Sequence, residues 1–228
     1  MGKNGLIIAI DGPSGAGKST ITRLLAERLG YIHIDTGAMF RTVALAARRA
    51  GISVDDERSL TELCRGCAIT FERTGDACRV LLNGEDVSGE IRTPEISLLT
   101  SSVSARKGVR DCMLEQQRQM GRLGGVILEG RDIGTVVFPH AEVKFFLSAT
   151  AGERGRRRFL ELQAKGETQS LEDTIADVVR RDRQDEEREH APLRRAADAI
   201  DIDSTGMSIE EVLDLMVKTV NDKLTETG

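Results

Sequence analysis

Gly12-Pro13-Ser14-Gly15-Ala16-Gly17-Lys18-Ser19 follows, one residue on, an unbroken apolar run, Leu6 to Ile10, and precedes apolar residues at helical spacing, Ile21, Leu24, Leu25 and Leu29. The run suits a strand buried on both faces of a parallel sheet, and the spacing predicts a helix that Gly30 ends. Strand, glycine-rich turn and helix in that order commit the chain to the α/β class. The turn has the form G-x-x-x-x-G-K-[ST], and its context matches what that form needs. Glycines let successive backbone N–H groups curl around an anion, and the helix N-terminus adds its positive end. Lys18 would reach the β and γ phosphates of a nucleotide, and the Ser19 hydroxyl suits Mg²⁺.

The rest of the chain repeats the strand–helix alternation. Tyr31 to Ile34, Val126 to Leu128, Glu142 to Leu147 and Ala199 to Ile202 are four more strand candidates, which makes a five-stranded parallel sheet. Met39 to Ala50 reads as a helix stopped by Gly51, and Glu95 to Leu123 as largely helical. Ala68 to Glu72 and Cys78 to Leu82 are strand-like, with turn signals at Thr74-Gly75-Asp76 and Asn83-Gly84. A small antiparallel insertion over about 64–91 is therefore expected. Ala151 to Glu189 is a long charged helical stretch broken near Gly166. Ser208 with Glu211 forms a capping box for a last helix. The expected organisation is one domain over 1–228, with an acceptor-binding region at 37–100 and a helical lid at 151–168.

Composition narrows the function. The net charge is −5, yet only seven of the 32 basic residues are Lys, so 25 are Arg. Arg grips phosphate and carboxylate in a bidentate fork, so an acidic, Arg-rich chain suits local oxyanion clamps better than nucleic acid. Aromatic residues are 3% and Trp is absent, too few for a base-stacking platform. No apolar run approaches a membrane span, and Met1 to Gly5 lacks a signal-peptide pattern, so a monomeric cytoplasmic protein without membrane or nucleic-acid partners is expected. Cys64-Arg65-Gly66-Cys67 is a CxxC, but Cys78 and Cys112 form no second close pair and the three histidines are scattered. The thiols read as small buried hydrophobes.

A phosphate loop alone does not separate kinase from GTPase, ATPase or motor. The Asn-Lys-x-Asp guanine signature is absent, and the chain is short for a nucleotide core plus a large effector domain. Arginines at the ends of predicted strands, in Asp35-Thr36-Gly37-Ala38-Met39-Phe40-Arg41 and Glu129-Gly130-Arg131-Asp132, lie where open α/β sheets bind ligands. These runs, with Gly84 to Ser88, Ile91 to Pro94, Gly130 to Pro139, Arg180-Arg181-Asp182, Asp185, Arg188 and Asp203-Ser204-Thr205, resemble the bacterial cytidylate kinases of the nucleoside monophosphate kinase group. Their order and spacing carry the resemblance.

The resemblance implies a P-loop kinase fold, with a small antiparallel insertion and a lid, that moves the γ-phosphoryl group of ATP to CMP or dCMP with Mg²⁺. It implies that residues 12–20 (Gly12, Pro13, Ser14, Gly15, Ala16, Gly17, Lys18, Ser19, Thr20) and Arg157 hold ATP, and that Ser19, with Glu129 through water, holds the metal. Thr36, Arg41, Arg131, Arg181 and Arg188 would surround the acceptor and transferring phosphates, with Lys18, Arg131, Arg181 and Arg188 catalytic. Ser101, Arg110 and Asp132 would face the cytosine, and Asp185 with Arg188 the sugar. Phe40 stands where the family often has tyrosine, which leaves apolar packing without a hydroxyl. The acceptor is itself a phosphate with a second pKa of about 6, so no general base is required. Catalysis is then positioning and cation placement. The competing readings are a kinase for another acceptor, such as UMP or an alcohol, and a nucleotide-dependent switch.

Overall fold

The computed structural model of the chain describes residues 5–74, 77–164 and 166–227. In chain order the elements are β1 (Ile7–Asp11), α1 (Lys18–Leu29), β2 (Ile32–Asp35), α2 (Thr36–Ala50) and α3 (Glu57–Arg65). Then come β3 (Ile69–Thr74), β4 (Ala77–Leu82), β5 (Glu85–Asp86), a 3-10 turn at Glu90–Arg92, α4 (Pro94–Ser104) and α5 (Lys107–Met120). The chain continues with β6 (Val126–Gly130), a π-helical turn at Ile133–Val137, β7 (Val143–Ser148), α6 (Ala151–Ala164), α7 (Leu171–Glu187), β8 (Ile200–Asp203) and α8 (Ile209–Thr227). Two compact units result: one takes the chain up to His33 and again from Leu123, the other is Ile34–Arg122.

The first unit is built on the five-stranded parallel sheet, in the order β2-β6-β1-β7-β8. Central β1 pairs with β6 from Ile7↔Val126 to Asp11↔Gly130, and with β7 from Ile8↔Val143 to Asp11↔Phe146. Every residue of β1 and β6 is buried, which is why both read as continuous apolar runs rather than as alternation. Ile8, Ile10, Phe145, Leu147 and Ile202 pack with Ile21 and Leu25 of α1 and with Val212, Leu213, Met216 and Val220 of α8. Fully burying side chains of this size stabilises by roughly 1.5–3 kcal/mol each, so this layer contributes a large share of the unit's stability. Gly30 ends α1 in the left-handed conformation, and Ser208 and Glu211 cap α8 reciprocally. Gly155 allows α6 and α7 to cross closely, since a Cβ there would collide with Ile175.

In the second unit Asp35 caps α2, whose helix starts three residues before Met39. Apolar periodicity cannot reveal that first turn; the Asp35 carboxylate accepting from the Ala38 N–H can. The antiparallel insertion is a three-stranded sheet in the order β3-β4-β5, with Ile69↔Leu82 and Leu82↔Glu85 in register. Gly75 and Asp76 of the expected turn lie outside the described residues. The stretch expected to be largely helical over 95–123 forms two helices, α4 and α5, separated at Ala105-Arg106. Cys64 and Cys67 are buried, and burial pushes the Cys67 thiol up to about 11 and that of Cys64 higher still, beside Cys112. Among the described residues no group of three or more His, Cys, Asp and Glu is arranged to hold a metal ion. No helix there is long and apolar enough to cross a membrane.

Candidate active site

The glycine-rich turn runs from the end of β1 to the start of α1. Gly12 has φ 149°, and a Cβ there would collide with the Leu147 carbonyl oxygen of β7. Gly15, at φ 77°, would bring a Cβ to 3.1 Å from Arg154 Cβ. A side chain has no room at Gly12, and at Gly15 both the positive φ and the contact with Arg154 disfavour one. Lys18 Nζ donates to the Gly12 and Pro13 carbonyls, each at 2.7 Å. Burial first, and Arg131 next, hold its pKa well below that of an ordinary lysine, against the opposing pull of Glu129, Asp11 and Asp185. A buried cation beside a second cation is an environment that a polyanion relieves.

Ser19 Oγ donates to Glu129 Oε2 at 2.8 Å, and His33 Nε2 lies 2.9 Å from Glu129 Oε1. Glu129 is the penultimate residue of β6, opposite Ile10 of β1. Beyond it Arg131 Nε donates to Asp185 Oδ2 at 2.8 Å. Arg188 donates to Asp132 Oδ1 at 3.3 Å and lies 3.6 Å from Asp185 Oδ1. Burial opposes ionisation of Asp185, but Arg131, Arg188 and Arg181 outweigh it and hold its carboxyl below the usual range. Lys18, Ser19, Glu129, Arg131, Asp132, Arg181, Asp185 and Arg188 thus form one connected charge network. Arg157 Nη2 donates to the Ser204 carbonyl at 2.9 Å and Nη1 to Ser204 Oγ at 3.1 Å.

In the second unit Thr36 opens α2, buried, and Arg41 Nη2 donates to Asp35 Oδ2 at 2.9 Å. Arg41 Nε is buried with no hydrogen-bond partner among the described residues. Arg110 lies 5.3 Å from the Phe40 ring centroid, a cation–π contact, and donates to the Ser104 carbonyl at 3.0 Å. The ring at position 40 therefore has a use that needs no hydroxyl. Ser101 sits on α4, and its carbonyl accepts from Ser104 Oγ.

Several residues at the site carried no signal that sequence reasoning used. Asp11 ends β1 and accepts from the Ile133 and Gly134 N–H groups at 2.8 and 2.7 Å, pinning the turn that follows Arg131 and Asp132. Arg154 is buried, pairs with Asp182 at 2.6 and 2.9 Å, and donates to the Ser14 carbonyl at 3.0 Å. Burial lifts the Asp11 pKa to about 6, against its two backbone hydrogen bonds. A folded-state pKa above the unfolded value contributes stability below about pH 4 that is lost as pH rises through about 6. A shift of this size corresponds to about 3 kcal/mol. Denaturant titrations at stepped pH should show the wild type losing about that much stability relative to Asp11→Asn between pH 4 and 7. Parallel pH profiles would mean that Asp11 titrates normally.

A family model described as Cytidylate kinase matches residues 8–222. A cytidylate kinase of Geobacter sp. (strain M21) is 71% identical over 98% of this chain and 96% of its own length. That of Geobacter sulfurreducens is 70% identical, over 97% of this chain and 95% of its own. A solved shikimate kinase from Bacteroides thetaiotaomicron shares the fold at 13% identity, with a TM-score of 0.50 over 95% of this chain and 98% of its own.

Proposed function

The chain belongs to the cytidylate kinase family, and on that premise we propose that it transfers the γ-phosphoryl group of ATP to CMP or dCMP, giving ADP and CDP or dCDP. The observation that carries this reading is the network of Lys18, Arg131, Arg181 and Arg188 around the phosphate loop. It is an array of cations suited to two polyanions. The backbone of Gly12 to Thr20 cradles the donor phosphates, with Arg157 on the ATP side. Lys18 neutralises the β and γ phosphates. Arg131, Arg181 and Arg188 screen the charge that builds on the transferring group, which is where such contacts lower the barrier.

Ser19 and Glu129 offer hard oxygens 2.8 Å apart, a donor set that fits Mg²⁺ kept largely by water and phosphate oxygens. Ser19 would bind directly and Glu129 through water; the ion supplies charge neutralisation between the phosphates. The residues proposed for the acceptor are Thr36, Phe40, Arg41, Ser101, Arg110, Arg131, Asp132, Arg181, Asp185 and Arg188. Residues 37–100 form the acceptor-binding region, with the insertion at 64–91, and 151–168 act as a lid that excludes water.

The test is ADP release across a panel of nucleoside monophosphates. CMP and dCMP should lead it, and turnover independent of any acceptor would overturn the reading. Asp132 should set the base preference. Cytosine presents a donor at position 4 and uracil an acceptor, and a carboxylate only accepts. In Asp132→Asn the amide oxygen can keep the Arg188 contact while its NH₂ donates to uracil. The UMP-to-CMP ratio of kcat/KM should rise about 5- to 150-fold, equivalent to roughly 1–3 kcal/mol. An unaltered ratio would mean that the base is read elsewhere.

A further inference from the structure

Glu129 is longer by a methylene than the aspartate that could stand in its place. Its extra torsion must be frozen before a carboxylate oxygen can face Ser19, and that freedom costs free energy to remove. It sits buried in β6, with Oε2 accepting from Ser19 Oγ at 2.8 Å and Oε1 2.9 Å from His33 Nε2. His33 lies on β2, the neighbour of β6 in the sheet order, and its side chain is 15% exposed against 5% for Glu129. A carboxylate only accepts, so the bond requires the His33 proton on Nε2. These two contacts hold one carboxylate oxygen each, one from the start of α1 and the other from β2.

We propose that His33 is a positioning residue that locks the Glu129 carboxylate toward the Ser19 hydroxyl, and so prepares the metal-binding corner of the site. The proposal rests on the reading of Ser19 and Glu129 as Mg²⁺ residues. Groups that orient ligands in this way are worth one to two orders of magnitude in metal affinity or activity. The imidazole hydrogen-bonds the Glu129 carboxylate, so the effect is expected on the metal-dependent part of nucleotide binding.

Calorimetry of ATP binding to the full chain, with Mg²⁺ and with chelator, reads that part as a ratio of affinities. In His33→Phe the ratio should fall on the order of 10-fold while affinity in chelator is unchanged. His33→Gln, whose amide can donate to the same oxygen, should restore most of it. In a Glu129→Asp background the shorter carboxylate cannot hold both contacts, so His33→Phe should add less than about twofold. The imidazole ¹⁵N spectrum of the unliganded chain should show His33 protonated at Nε2, and that signal should move in Glu129→Gln. An unchanged ratio in His33→Phe, failure of His33→Gln to rescue, or effects that multiply fully with Glu129→Asp would each overturn the proposal. Should His33→Phe not fold, His33→Gln and the spectrum decide. If Glu129→Gln itself leaves the ratio unchanged, the metal reading fails, not merely the role of His33.

Discussion

Lys18→Ala should lose phosphoryl transfer by on the order of 100-fold or more in kcat, about 3 kcal/mol in the barrier. The ammonium is the one lysine charge inside the loop, and its grip on the Gly12 and Pro13 carbonyls shows how closely the side chain follows the turn. Its stability effect should be small. A lysine whose pKa is held down by burial and by Arg131 costs free energy when charged in the folded chain, so its removal relieves a penalty while two carbonyls lose a donor. Single-turnover rates with saturating ATP and CMP, beside an unfolding curve, separate the two quantities. Turnover near wild type would sink the assignment of the donor site.

The other large effect belongs to Arg154→Ala. The Arg154 and Asp182 side chains are 7% and 14% exposed, so the variant leaves a carboxylate in the interior without its bidentate partner. Breaking a buried pair from one side costs roughly 3–5 kcal/mol. For a chain of this size that is roughly a 10 °C fall in Tm. The same change frees the Ser14 carbonyl, so ATP affinity should fall as well. Replacing both partners with apolar residues, Arg154→Met with Asp182→Leu, separates these consequences. Stability should largely return because no unpaired charge remains, whereas ATP affinity should stay low because the tie to Ser14 is still missing. Recovery of both together would mean that Arg154 serves the helices α6 and α7 and not the loop.

The contrast between these two residues shows what a linear reading can reach. Lys18 is legible because its partners are its neighbours: the chemistry lies within one turn of chain, and the flanking strand and helix announce themselves by apolar pattern. The central strands β1 and β6 were equally plain, since burial on both faces leaves an uninterrupted apolar run, whereas the edge strands β2 and β8 are partly exposed and carry polar residues. Arg154 looks like one of several arginines in a charged helix, and nothing local marks it as the buried member whose partners are Asp182 and the Ser14 carbonyl. His33 is harder still, because one histidine on a short strand has no pattern. Its meaning comes from β6, which reaches it only through the sheet order. Asp11 stands between the apolar run and the glycine-rich turn, yet its task, receiving the N–H groups of Ile133 and Gly134, depends on a turn far along the chain. The start of α2 was missed for a smaller reason: a helix whose first turn is set by an Asp cap shows no apolar period there.

The position of β1 between β6 and β7 also governs how the molecule comes into being on the ribosome. The segment carrying the phosphate loop is made well before both strands that flank it: Ile7 must wait for Val126, and Ile8 for Val143. The intervening stretch, Ile34–Arg122, is contiguous and has its own buried residues, so it can order while β1 is still without its neighbours. Pairings this distant in sequence are slow to form, because the loop they close must be ordered before they contribute anything. A chain halted before Val126 therefore carries every residue of the phosphate-binding turn and has no sheet on which to shape it.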